Sequence, residues 1–392
     1  MASARSHRYQ LTRCTLAGKS LEALAKNSPL LSHHRAAGAE LSLGATPFAL
    51  SFGEVPDEYA AAQTTAVVFD ATERDLVCVT GSDAAAFLQR LLANTVRTLA
   101  PGQGNRNLLL SSKGKVLFDF DLSVREAQIR MSLPPACGAA FAKALDTYHF
   151  SEKLAIRDDS AQHAPLALCG PSTARIVREV VGVELPREDH ASVSGRFGER
   201  EIDVTALPVA GSAGARIDGG PELALALWNA VCVSGARPAG RVAYDCLRVE
   251  AGWAEPGVDV DDSVYPQEAR LERGFALDKG CYIGQEVVAK IDTYGGLNKR
   301  LVALRVSHDD PLPRGARLFG EDEGEWRDLG VITSWAYSFV LDTGLVLAYV
   351  KRRHQACGTR FRIGDPQAPL GEAVVVALPV RSGALAPTGE FE

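Results

Sequence analysis

The string Lys279-Gly280-Cys281-Tyr282-Ile283-Gly284-Gln285-Glu286 gathers the chemistry-bearing residue types most densely. Cys281 is its nucleophile or ligand, and a thiol acts through its thiolate. Lys279 stands two residues away, where its charge favours the ionised sulfur. Gly280 and Gly284 let the backbone take positive φ or approach a ligand closely. A helix beginning near Ile283 or Gly284 sets Cys281 beside an amide-rich N-terminus, which also lowers a thiol pKa. Gln285 and Glu286 offer acceptors to backbone donors at the same turn. Composition alone gives a plainer alternative: a lone cysteine commonly serves as a small buried apolar side chain.

The remaining candidate ligands form no site. The eight cysteines, Cys14, Cys78, Cys137, Cys169, Cys232, Cys246, Cys281 and Cys357, include no CxxC pair. Scattered through 392 residues, they imply a reducing compartment rather than a disulfide framework, and give no zinc spacing. The eight histidines form no HxxxH or HExxH pattern, and His33-His34 reads as a capping or surface pair. Apolar residues make up 46% and charged residues 23%, ordinary globular values, and the length implies two or three domains. A formal charge of −6 removes any general attraction to nucleic acid or anionic membrane. The densest basic run, Lys351-Arg352-Arg353-His354, reads as a solvated turn between strands, with a phosphate contact as the alternative. No apolar run approaches the roughly 18 residues a membrane span needs. Residues 1–21 carry Arg5, Arg8, Arg13 and Lys19 without an acidic residue. That resembles a transit peptide or a frayed basic tail, and no apolar core of a secretion signal follows. Residues 1–27 are treated as an extension outside the fold, and 381–392 as a disordered tail.

The elements that must position these residues follow from periodicity. Asp75–Thr80 alternates as a half-buried strand does. Ser82 or Asp83 caps a predicted helix over 84–96, with apolar residues at 87, 88, 91 and 92. Strands are predicted at Asn107–Ser111, Val116–Val124 and Gln128–Leu133, the first two joined by a Lys113-Gly114 hairpin turn. A helix over Cys137–Tyr148 and a strand at Leu154–Arg157 complete a β-α-β-β-(β)-α-β order, a ferredoxin-like sandwich. Residues 165–251 give strands at Leu166–Cys169, Glu201–Leu207 and Ala215–Ile217. Their helices run from Pro171-Ser172 to Val181, over Pro221–Val233, and over Arg241–Ala251 with Gly252 as the stop. Residues 252–298 are long and loop-rich, which is uncommon in a connection without a task. Six strand candidates between Leu301 and Leu378 read as a small antiparallel barrel or jelly roll.

The KGCYIGQE string resembles the K-G-C-[FY]-x-G-Q-E signature of the YgfZ family of folate-binding proteins. The resemblance continues through VVAKIDTYGGLNKRLV, with Asn298-Lys299-Arg300, upstream through YPQEARLERG, and in LDTYHFSEKLAIRD at 145–158. A broader likeness to the aminomethyltransferase superfamily, whose type member is the glycine cleavage T-protein, spans about 28–380. It is carried by SPLLSHHRAAGA (28–39), by Gly53 to Asp70, by LLANTV (91–96) and by CLRVEAG (246–252).

The likeness implies an α+β fold: ferredoxin-like α/β units and a C-terminal antiparallel barrel, three domains around a central folate cavity. The domains so implied are a discontinuous folate-binding domain (28–75 and 159–255), a ferredoxin-like domain (76–158), a connecting segment with the cysteine motif (256–298) and a barrel (299–380). It also implies tetrahydrofolate as ligand, with Arg248 contacting its carboxylate tail, as a planar guanidinium suits. The plainer reading is an exposed helical Arg248 paired with Glu250 or Asp245. Two positions depart from the T-protein. Thr95 stands where it has an Asp that assists chemistry at the folate nitrogen, and Arg216 aligns with an acidic residue that holds the pterin. Three functions follow. The first is a cytoplasmic accessory protein, or a mitochondrial-matrix one in a eukaryote, that uses Cys281 in iron–sulfur cluster assembly or repair. Its partners would be assembly proteins or client enzymes, including those that modify tRNA. The second is an aminomethyltransferase or other one-carbon transferase, and the third a folate-free docking scaffold.

Overall fold

The computed structural model describes residues 15, 16, 19, 20, 26–322 and 324–380. The tail at 381–392 and most of the basic extension lie outside the described residues. Within that extension Thr15–Leu16 pairs antiparallel with Lys19–Ser20. Lys26, counted with the extension above, belongs to the fold, for its Nζ donates to the carbonyls of Ser160 (2.6 Å) and His163.

One sheet has five strands, ordered Ala155–Asp158, Asp75–Thr80, Ile129–Leu133, Val116–Val124 and Gly104–Leu110, all antiparallel. Its alternating strands turn Val77, Val79, Phe118 and Met131 into a core closed by Phe87, Leu88 and Leu91 of the Ala84–Leu91 helix and by Phe141 and Leu145 of the Gly138–Asp146 helix. The order is that of a ferredoxin-like sheet with Gly104–Leu110 added at its edge. The first helix stops at Leu91, five residues before the predicted end. Polar side chains give the next amides other partners: Gln89 Oε1 accepts from Val96 and Arg97 N–H, Asn94 Oδ1 from Thr95 N–H, and Asn107 Oδ1 from Asn94 N–H. Asp83 does not cap this helix with its side chain, since its carboxylate accepts from Lys153 N–H at 2.7 Å.

The second sheet runs Ser192–Phe197, Arg200–Val209, Ser212–Asp218, Leu166–Cys169, Val67–Asp70 and Arg237–Pro238. Neighbours are antiparallel except the last pair. The Thr173–Val181 and Ala224–Val233 helices bury Ile176, Val177, Leu227 and Trp228 with Val68, Leu166 and Ile217. The latter helix begins three residues after Pro221, which sits in the preceding turn. Arg241–Ala251 ends at Gly252, whose φ of +70° is the left-handed cap that glycine supplies. His34 corrects the surface reading of its pair: it is buried, bonded to Asp70 at 2.9 Å and tilted against Trp228.

The third body is a closed antiparallel barrel, ordered Lys299–Val306, Thr343–Lys351, Glu325–Ser338, Arg317–Asp322, Arg360–Asp365 and Ala368–Val376. Leu304, Ile332, Val346, Phe361 and Ile363 fill it. The Lys351–His354 run leaves its strand as a short 3-10 turn, with Lys351, Arg352 and Arg353 exposed. The long connection holds one regular helix, Gln285–Tyr294.

Candidate functional site

The two open sheets face each other across a cavity of about 210 Å³. Three stretches build most of its charge. Asp70 ends a strand of the larger sheet, and Glu73 and Arg74 lie in the turn that carries the chain into the smaller sheet. Asp119 and Asp121 alternate on one face of Val116–Val124, and Arg216 projects from Ser212–Asp218. Arg241 and Tyr244 enter from the start of their helix, and Phe48, Phe69 and Trp253 add apolar wall.

Most of these charges are already paired. Arg106 grips Asp119, with Nε donating to Oδ1 at 2.7 Å, and its guanidinium lies 4.7 Å over the Trp253 ring. Asp121 is a hub: Arg216 Nη1 lies 3.2 Å away, His190 Nε2 3.1 Å and Arg74 Nη2 3.5 Å. Burial opposes charge on Asp121, but the His190 hydrogen bond and the guanidiniums outweigh it and hold its pKa well below the carboxylate range. Arg216 also bonds Asp218 at 2.8 Å. Glu73 differs. Burial, and then the negative charge of Asp70, push its pKa up to about 7. The sequence reading passed over Glu73, whose only signal was a charged cluster, Glu73-Arg74-Asp75, at the end of an apolar strand.

The cysteine motif lies elsewhere, and none of its residues lines the cavity. Cys281 is exposed, so the buried alternative does not hold for it, while Cys78, Cys137, Cys169 and Cys246 are buried. Its neighbours are anchored. Lys279 donates to the carbonyls of Gln89 and Leu92 (2.7 Å for the latter), at the negative end of the Ala84–Leu91 helix, and Gln89 Nε2 returns a bond to Lys279 O at 2.9 Å. The ammonium is therefore committed to these carbonyls, and burial lowers its pKa to about 8. Tyr282 is buried, and Ile283 packs on the core beneath that helix. Gly280 and Gly284 both have positive φ, +93° and +79°. A Cβ on Gly284 would meet Ser111 O at 2.5 Å, because the motif rests on the Ser111–Gly114 hairpin turn. Gln285 opens the next helix, and Glu286 pairs with Lys290 at 2.6 Å on its exposed face.

Arg248 is not brought to the cavity. It is neither an exposed helical arginine nor a free clamp for a carboxylate tail. Its side chain is 3% exposed and bonds Asp245, Asp259 (2.9 Å) and Ser334 (2.9 Å), with Glu255 at 2.9 Å. Three carboxylates outweigh burial and raise its pKa. The physical reason is supply: Asp245, Glu255, Asp259 and Ser334 between them engage all three guanidinium nitrogens, and Ser334 ties the helix to barrel strand Glu325–Ser338. Thr95 lines neither the cavity nor the second hollow beside it. Its hydroxyl bonds Thr98 at 2.9 Å, and its carbonyl accepts from Asn105 of that hollow at 2.7 Å.

Two α/β sheets enclosing a charged cavity, buttressed by a six-stranded barrel, define the architecture of the T-protein class. Residues 33–279 match the GCVT N-terminal domain, and 299–380 match the glycine cleavage T-protein C-terminal barrel domain. The chain belongs to this glycine cleavage T-protein family. It is 28% identical over 369 residues to an aminomethyltransferase of Chlorobium limicola, covering 90% of this chain and 99% of that protein. The aminomethyltransferase of Geobacillus kaustophilus is also 28% identical over 369 residues, covering 90% and 98%. A putative chloroplastic transferase of Arabidopsis thaliana is 25% identical over 305 residues, covering 76% and 68%. The crystal structure of the glycine cleavage system aminomethyltransferase T from Bartonella henselae shares the fold, with a TM-score of 0.81 at 23% identity over 92% of this chain and 99% of that one. Among the described residues, no helix is long and apolar enough to cross a membrane.

Proposed function

We propose that the chain is a tetrahydrofolate-binding accessory protein of the YgfZ type, supporting iron–sulfur cluster assembly or repair and, through client enzymes, tRNA modification. The observation that carries this reading is the exposed Cys281 thiol on a loop whose Lys279, Tyr282 and Gly284 are fastened to the core. Anchoring of this kind lowers the entropy lost when a partner docks on the sulfur. One thiolate cannot hold a cluster that takes about four ligands, so Cys281 acts with ligands from a partner.

The cavity suits a reduced folate. Its aromatic and apolar walls accept a flat ring, and Glu73, which has no guanidinium or imidazole partner among the described residues, suits a ring edge rich in N–H donors. Tetrahydrofolate, when bound, supplies a carrier nitrogen for a one-carbon unit. The protein's own part is to bind and orient it: Arg106, Trp253 and the Asp121 hub form a prefixed frame. Two measurements test the reading. Titration calorimetry with tetrahydrofolate should give saturable heat, and Cys281→Ser should fail to restore an iron–sulfur enzyme activity in a host lacking the protein. Full restoration by the serine variant would overturn the accessory role.

A second reading, aminomethyl transfer, is favoured by the relatives that bear that name over nearly their whole length. Thr95 argues against it, because a hydroxyl neither stabilises a developing cation nor acts as a base near neutral pH. Turnover of tetrahydrofolate with a lipoyl-carrier donor by the purified chain would establish it.

A further inference from the structure

Five carboxylates line the cavity: Asp70, Glu73, Asp119, Asp121 and Glu255. Four are consumed. Asp70 accepts from Ser28, His34 and Thr72, and Asp119 is gripped by Arg106. Asp121 serves Arg74, Arg216 and His190, and Glu255 serves Arg241 and Arg248. Among the described residues no other side chain bonds the Glu73 carboxyl, which accepts from its own backbone amide. A half-buried cavity carboxyl that its neighbours leave unengaged is free to accept from a ligand's donors.

Resting on the folate reading above, we propose that Glu73 receives the donor edge of the pterin ring. The ring N–H and the adjacent amino group of a pterin point the same way and match the two oxygens of one carboxylate, the bidentate geometry that makes such pairs strong. Arg216 cannot do this, being itself a donor and already bound to Asp121 and Asp218.

The bond needs the charged form of Glu73, so binding is linked to a proton. The charges that act on its carboxyl are Asp70 and Arg74 beside it and Arg241 from the facing helix. Of the remaining charged groups on the wall, Lys26 is held by two carbonyls, Glu255 is paired, and the facing strands present the paired Arg106, Asp119, Asp121 and Arg216. With the carboxyl titrating at about 7, uptake of ligand at pH 6 releases close to one proton, and at pH 8 almost none. Affinity falls about tenfold between pH 8 and pH 6.

The test is calorimetry on the full chain at both pH values, in two buffers of different ionisation enthalpy. The probes are tetrahydrofolate and a tetrahydropterin without the tail. The wild type should show the proton release with both probes. Glu73→Gln should abolish it and weaken binding at pH 8 about tenfold or more. Glu73→Asp, a milder change, should keep the proton release if the glutamine variant does not fold. Absence of any binding by the folded wild type would defeat the folate reading itself. Wild-type binding with an unchanged Glu73→Gln affinity and pH dependence would overturn this proposal and leave folate binding standing.

Discussion

Arg248 Nη1 lies 2.9 Å from Asp259 Oδ2, and the two side chains are 3% and 0% exposed. Removing one partner of a buried pair strands the other charge, a cost of about 3–5 kcal/mol. Arg248→Ala should therefore lower stability by that order in urea denaturation. Tetrahydrofolate affinity, measured where the variant is still folded, should change little. A normal denaturation midpoint with lost affinity would return Arg248 to the ligand.

Lys279→Met removes two donors from the end of the Ala84–Leu91 helix. Roughly 1 kcal/mol of stability should go with them. The local effect should be larger than the global one: amide hydrogen exchange over 276–284 should quicken while the barrel strands keep their protection.

Gly284→Ala meets both a strained φ and a clash with the Ser111 carbonyl at 2.5 Å. We expect a loss of at least about 1–3 kcal/mol and displacement of the cysteine loop. A melting temperature equal to wild type would show that the hairpin below yields more readily than its packing suggests.

Glu73 gives a pH-dependent stability. Its folded pKa is raised from 4.5 to about 7, so the protein gains proton binding on folding between those values. That contribution is present below about pH 4.5 and is lost as pH rises through 7. Glu73→Gln should thus stabilise the ligand-free protein at pH 8, by up to about 3 kcal/mol, and leave it nearly unchanged at pH 4.5. Paired thermal melts at the two pH values decide it.

Among the described cysteines, alkylation of the native chain, read by peptide mass mapping, should modify Cys281 and Cys357 first. Cys78 and Cys169 are buried, and burial pushes their pKa values up to about 12. They should react only on unfolding. Early labelling of either would mean that its core opens readily.

The barrel was legible strand by strand because glycine- and proline-bearing turns separate its apolar runs, and Arg241–Ala251 because Gly252 marks its end. Three strands of the larger sheet escaped notice, Arg237–Pro238 because it is only two residues long. Val67–Asp70 is too short to display a period, and Ser192–Phe197 is polar and interrupted by Gly195. That glycine exists for a tertiary reason: a Cβ there would stand 2.6 Å from Val181 Cγ1. The site divides in the same way. The cysteine loop could be found because its residues are contiguous. The cavity could not, because Glu73, Asp121 and Arg216 come from separate elements and meet only after folding. Arg248 shows the converse, a residue type suited to a ligand whose neighbours in space had already satisfied it.

During synthesis Val67–Asp70 leaves the ribosome well before either of its sheet neighbours, Leu166–Cys169 and Arg237–Pro238. At about 5–20 residues per second the wait for the second neighbour is on the order of ten seconds or more. The five-stranded sheet, contiguous from Asp75 to Asp158, can close in that interval, since its contacts are nearer in sequence. The nascent chain thus holds a bare apolar strand beside a finished neighbour, open to pairing with strangers. A holdase that shields it for those seconds would raise the yield of native protein, and a polypeptide cut short before residue 237 would keep that edge uncovered for good.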